Sequence, residues 1–142
     1  MSAVARIQAL LGEVNTGPLH SERDVMRLVR RGLPTQAVDH FLNVSRLSFN
    51  ALDPQILNRR TFKRRQDNAQ PLDPAESDRV VRMVSVVAAA EETFGDVEKA
   101  HVWLGRENRA LDGETPLGMA DTDQGARAVE ALLGRIAHGI AA

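Results

Sequence analysis

The residues with the most evident chemistry lie in LNRRTFKRRQDN, residues 57–68, where five cations fall within seven positions: Arg59, Arg60, Lys63, Arg64 and Arg65. A guanidinium can pair through two N–H groups with a guanine edge or a phosphate, whereas an ammonium acts as a point charge. Such a run can also be no more than a solvated helix face. Phe62 is the one large apolar side chain of the basic helix and predicts an anchor to a core. At helical spacing, Arg59, Arg65 and Gln66 then flank the core side, while Arg60, Thr61, Lys63, Arg64 and Asp67 face outward. Arg60 and Lys63 fall in the first turns, where base edges are read. Arg64 and the first-turn amides near Arg59 are placed for phosphates. The candidate DNA contacts are therefore Arg59, Arg60, Thr61, Lys63 and Arg64. Arg65 has a second use, pairing with the carboxylates of ESD at 76–78.

A second stretch with an unusual composition is the C-terminal end, where Arg135, Ile136, Ala137, His138, Gly139, Ile140, Ala141 and Ala142 are mostly small and apolar. A solvated terminus is ordinarily polar and frayed. An apolar tip predicts burial, against the chain's own body or in a partner's cleft. In the second case a narrow nucleotide pocket would accept GIAA, a basic phosphate site would attract the terminal carboxylate, and Arg135 and His138 would reach carboxylates on the rim.

Catalytic chemistry is poorly represented. The four histidines, His20, His40, His101 and His138, are scattered without ligand spacing. There is no serine nucleophile motif and no glycine loop for phosphates. Asp121 and Asp123 flank a helix start, which capping explains. Without cysteine, disulfides, thiolate chemistry and the common zinc frameworks are excluded. No enzyme, metal or cofactor is expected.

The 142 residues suit one compact domain or two small units sharing a core. The formal charge is −1, yet residues 1–67 carry +5 and residues 68–142 carry −6, which suggests two surfaces with different partners. No apolar run approaches the roughly 18 residues of a membrane span. The opening lacks a signal-peptide pattern, so the expectation is a soluble cytoplasmic protein.

The elements that would position these residues are helical throughout. Val4, Ile7, Leu10, Leu11 and Val14 form one stripe of a short N-terminal helix, which docks on the body or on a second copy. Ser21 caps a helix to about Arg31, with Asp24 near the capping-box position and Gly32 as terminator. Pro34 opens the next helix as its first residue, with Ala37, Val38, Phe41 and Leu42 inward. Ser48 starts a short helix ending near Asp53-Pro54, and Asn58 caps the basic helix, Arg59 to Asp67. Segment 34–67 thus has the layout of a helix-turn-helix unit. DPAE at 73–76 starts a helix to Phe94 that is apolar on most faces, a buried spine or part of a dimer interface. Asp96 caps a helix bearing Val97, Ala100, Trp103 and Leu104, with Trp103 read as a core anchor. A loop with a turn at Asp112-Gly113 follows, then a helical turn at 116–119. Thr122 caps the last helix, with Ala126, Val129, Leu132, Leu133 and Ile136 on its stripe.

The ordered set RRTFKRR, ESDRVVR, FGD, A-x-x-WL, L-x-G-x-TPL and LLGRIAHG resembles the Xre/MbcA/ParS-type antitoxins, from about Arg59 to the C-terminus and more loosely back to RGLP at 31–34. Two features depart from the family: the proline in LDPQIL, and GREN where a proline often precedes the asparagine. The resemblance implies an all-α chain in which an Xre-like helix-turn-helix part precedes a small toxin-binding domain. It also implies a cytoplasmic type II toxin–antitoxin pair whose usual toxin carries a RES domain, resembles ADP-ribosyltransferases and depletes NAD. The antitoxin would cover or plug the NAD pocket, and the complex would repress its own promoter. The expected organisation is an N-terminal helix or arm at 1–20, a DNA-binding and dimerisation domain at 21–95 and a toxin-binding domain at 96–142, assembled as a homodimer. Two other readings are a stand-alone helix-turn-helix regulator whose acidic part only oligomerises, and a purely structural scaffold.

Overall fold

The computed structural model describes residues 1–139, and every regular element among them is helical. In chain order these are α1 (Ala3–Leu11), α2 (Glu13–Thr16), α3 (Glu22–Arg31), α4 (Thr35–Ser45), α5 (Arg59–Asp67), α6 (Pro74–Phe94), α7 (Val97–Leu104), α8 (Pro116–Met119) and α9 (Asp123–Ala137). Short 3-10 turns at Phe49–Ala51 and Arg109–Leu111 complete the set. No described helix is long and apolar enough to cross a membrane.

The spine is α6. Its start follows from DPAE: Asp73 accepts from the Glu76 amide at 2.7 Å, and Glu76 accepts from the Asp73 amide at 2.8 Å, with Pro74 at the first position. Gly95, in the left-handed region at φ 66°, ends it. Valines and alanines on several faces let it pack against α1, α3, α7 and α9 at once, and Val80, Met83, Val84, Val86 and Ala90 have no solvent exposure. At about 1.5–3 kcal/mol for each fully buried valine or methionine, this helix makes the largest contribution of any single element to the core.

The N-terminal stretch 1–20 differs from the single helix expected. Gly12, at φ 88°, breaks it into α1 and α2, and Val14 is fully exposed instead of extending the apolar stripe. Val4, Ile7, Leu10 and Leu11 are buried against α4 and α6, so α1 docks on the chain's own body. Pro34 also sits one place earlier than expected: its extended ψ of 146° makes it the cap of α4, and Thr35 is the first helical residue. Ser21 caps α3 through the Asp24 amide, but Asp24 reaches back to the His20 amide at 2.8 Å, not to Ser21. That backbone hydrogen bond holds the Asp24 carboxyl below its usual range.

Two interactions fasten the link between α3 and α4 to the spine. Ser77, wholly buried, accepts from the Leu33 amide at 2.8 Å, and the Leu33 carbonyl accepts from the Leu72 amide at 2.9 Å. Gly32 lies so close to the Leu72 carbonyl that a Cβ there would collide with it. At the opposite end of α4, Arg46 pairs with Glu98 of α7.

Candidate nucleic-acid and partner interface

Helix α5 is held on three sides. Phe62 is buried and packs on Phe49, ring centroids 5.1 Å apart, which is the anchor its isolation in the sequence predicts. Phe49 also carries the Arg59 guanidinium over its ring, 4.9 Å from the centroid, an electrostatic contact with the ring face. Gln66 donates to Asp39 of α4 at 2.9 Å. Arg79 of α6 donates to the Ile56 carbonyl at 2.9 Å, fixing the turn that leads into α5.

The cations divide into tethered and free. Arg65 pairs with Glu76 at 3.1 Å and Asp73 at 3.5 Å, so of its two readings the structural one is realised. Arg59 donates to Asn50 at 2.7 Å and lies 3.9 Å from Asp53. Lys63 meets Asp67 at 3.5 Å, one turn along an exposed face, an interaction worth only a few tenths of a kcal/mol. Arg60 and Arg64 are exposed and have no ion pair among the described residues. Thr61 is half-buried instead of facing out.

The first-turn amides are already occupied. Asp53 accepts from the Arg59 amide at 3.1 Å, and Asn58 accepts from the Arg60 and Thr61 amides at 2.9 and 3.2 Å. The expectation that these amides are placed for a phosphate is therefore corrected: their partners are side chains of the preceding turn. There remains an open cleft of about 780 Å³ beside α5, lined by Arg59, Arg60, Lys63 and Arg64 with Asn58 and Asp67. A phosphate there would be met by side-chain cations.

In the C-terminal part, Trp103 is buried against Phe94 at 5.5 Å between ring centroids, a core anchor as expected. Asn108 shapes the loop after α7. Its side chain accepts from the Ala110 amide at 2.9 Å, its own amide donates to the Glu114 carbonyl at 3.0 Å, and its carbonyl accepts from Gly113 at 2.9 Å. Gly125 lets α9 run directly beneath the Met119 carbonyl, where a Cβ would collide. Thr122 caps α9, accepting from the Gly125 amide at 3.0 Å, and Asp123 pairs with Arg127 at 2.8 Å. Among the described residues no cluster could hold a metal ion.

Of the tail residues, Arg135, His138 and Gly139 are exposed, while Ile136 is half-buried against the core. Ile140, Ala141 and Ala142 lie outside the described residues. The structure also exposes an apolar residue on this half that the sequence reading does not single out: Val102, 57% exposed on the outer face of α7. Helical spacing agrees with this, since Val102 lies opposite the stripe of Val97, Ala100, Trp103 and Leu104.

Residues 24–85 match the Antitoxin Xre-like helix-turn-helix domain, and residues 89–139 match the Antitoxin Xre/MbcA/ParS C-terminal toxin-binding domain. The first match ends and the second begins within α6, so the spine serves both. The chain is similar to Antitoxin Xre of Photorhabdus laumondii, 35% identical over 125 residues, or 87% of this chain and 84% of that one. It is 42% identical over 85 residues to Antitoxin Xre of Pseudomonas putida, covering 60% of this chain. Antitoxin Xre of Yersinia enterocolitica is 35% identical over 82 residues, 57% of this chain. The chain spans about half the length of these last two relatives, 54% and 55%. An all-helical chain with both domains in this order, and a relative matched over most of both lengths, belongs to the Xre/MbcA/ParS antitoxin family.

Proposed function

We propose that the protein is the antitoxin of a type II pair, acting in the cytoplasm, which neutralises a RES-domain, NAD-depleting toxin and represses its own promoter as a homodimer. The observation that carries this reading is the order of its two family domains on one shared helix, the first bearing an exposed cationic helix and the second named for toxin binding. The chain is organised as an N-terminal segment at 1–20, a DNA-binding and dimerisation part at 21–95 and a toxin-binding part at 96–142. It needs no catalysis and no cofactor of its own. Arg60, Lys63 and Arg64 meet DNA, with Arg59 and Thr61 at the edge of that contact.

Toxin neutralisation uses the end of α9 and the residues beyond it. Arg135 and His138 are placed at the surface for carboxylates on the toxin's rim. Ile136, Gly139, Ile140, Ala141 and Ala142 enter the NAD pocket, a mostly small and apolar set that suits a narrow cleft.

The deciding experiment is co-expression with the protein encoded beside it, comparing the full chain with one ending at Arg135. Restored growth and NAD with the full chain alone supports both the antitoxin and the tail. Rescue by both removes the plug and keeps the antitoxin. No binding and no rescue favours a stand-alone regulator, whose acidic half only oligomerises. The DNA contact is checked separately, by the loss of salt-dependent promoter binding in Arg60→Ala and Lys63→Ala.

A further inference from the structure

Helix α3 carries one stripe that its own body leaves uncovered. Val25 and Leu28 face the core, while Glu22, Met26 and Arg30, spaced one helical turn apart, stand in solvent. Met26 is 39% exposed and, with Val29, walls a groove of about 440 Å³. Ile7 and Val81 line the same groove from α1 and α6, and Ala126 lines it from α9.

The charges around this groove are distributed unevenly in their pairing. Asp78 is paired with Arg82 at 2.6 Å, Asp123 with Arg127 at 2.8 Å, and Glu130 accepts from Ser85 at 2.9 Å. Glu22 and Arg30 have no ion pair among the described residues. The exposed stripe therefore reads acid, methionine, base over two turns, about 12 Å of helix. That order is its own complement. Reversed about a two-fold axis, it brings the two methionines together and sets each acid opposite a base.

We propose that this groove, centred on Met26, is the contact face between two copies of the chain, with their α3 helices packed antiparallel. Each Glu22 then faces Arg30 of the partner subunit, and the flexible thioethers fill the shallow apolar centre. The self-complementary stripe favours a second copy over a partner of a single charge sign. The inference rests on the homodimer reading and names the surface that reading requires.

Sedimentation of the full-length chain tests it, with thermal melting of every variant measured alongside. The parent should sediment as a dimer. Glu22→Arg and Arg30→Glu should each raise the dimer dissociation constant at least about tenfold, because symmetry places the like charges together twice. The double variant carrying both changes should dimerise like the parent. Met26→Asp should be a monomer that still unfolds cooperatively, its melting temperature lowered only by the lost association and no longer dependent on protein concentration. A monomeric parent removes the homodimer reading and this face together. A dimeric parent whose four variants all stay dimeric keeps the homodimer and overturns the face. Singles that dissociate with no recovery in the double variant overturn the antiparallel packing. A monomeric parent whose Met26→Asp variant fails to bind the toxin assigns the groove to the toxin instead.

Discussion

Arg65 and Glu76 meet across the junction of α5 and α6. The Arg65 Nε donates to Glu76 Oε1 at 3.1 Å and a terminal nitrogen donates to Oε2 at 3.3 Å. The same Oε1 accepts from the Asp73 amide, so the residue that closes the capping box of the spine also holds the cationic helix. Glu76 is buried and the Arg65 side chain is 21% exposed, which places the pair between a surface bridge and an interior one.

Arg65→Met should lower stability by about 1–2 kcal/mol, more than an exposed pair and less than a fully buried one. Urea unfolding measures this. Because Arg65 is spent on Glu76, the slope of log K for promoter DNA against log salt should stay that of the parent.

Arg60→Ala and Arg64→Ala should behave in the opposite way. Both side chains are free of ion pairs among the described residues, so removing either should change the unfolding free energy by no more than about 0.5 kcal/mol. Each that contacts a phosphate should reduce the salt slope by about 0.9. Titration of promoter DNA at several salt concentrations separates the two behaviours. An unchanged slope in both variants would remove Arg60 and Arg64 from the phosphate contact.

Gly125→Ala should destabilise the chain by about 1–3 kcal/mol, although alanine favours helices elsewhere. The added Cβ would strike the Met119 carbonyl, a backbone atom that moves only if α8 and α9 separate. A lowered melting temperature with weakened toxin binding is the expected result. An unchanged melt would mean that this approach is loose.

Burial pushes the Glu91 carboxyl above its usual range, and the Arg6 guanidinium opposes the shift without reversing it. A raised carboxyl pKa means that the folded chain disfavours the charged form. The contribution of Glu91 is therefore most favourable below its unfolded value of 4.5 and is lost as pH rises through the folded value. Glu91→Gln should melt higher than the parent at neutral pH, and the difference should shrink as the pH falls through the carboxylate range.

Local chemistry made much of this protein legible. DPAE could only start a helix, because Asp, Pro and Glu each satisfy a different need of its first turn. Asn58, Asp96 and Thr122 announce caps for the same reason, and each accepts from an amide in the first turn of its helix. Phe62 declares which side of α5 faces the core, since no other residue of that helix could anchor it. Gly12 gives no sign of a break in the chain alone, because a helical stripe can pass a glycine. The positive φ that stops it appears only with the backbone in place.

The helices, their inward faces, the cationic segment and the family pattern can all be read along the chain, because caps, periodicity and charge runs are properties of neighbouring residues. Which cations are free is a matter of the folded arrangement. Helical spacing already sets Arg59 and Arg65 beside the core and Arg60 and Arg64 outward, but the groups that hold the first two, Phe49, Asn50 and Glu76, lie 9 to 11 positions away and only the fold brings them in. Folding likewise settles that Asp53 takes the Arg59 amide and that Met26 stands uncovered between Glu22 and Arg30. Pairing and exposure depend on what the fold sets beside each residue, and no local rule states that.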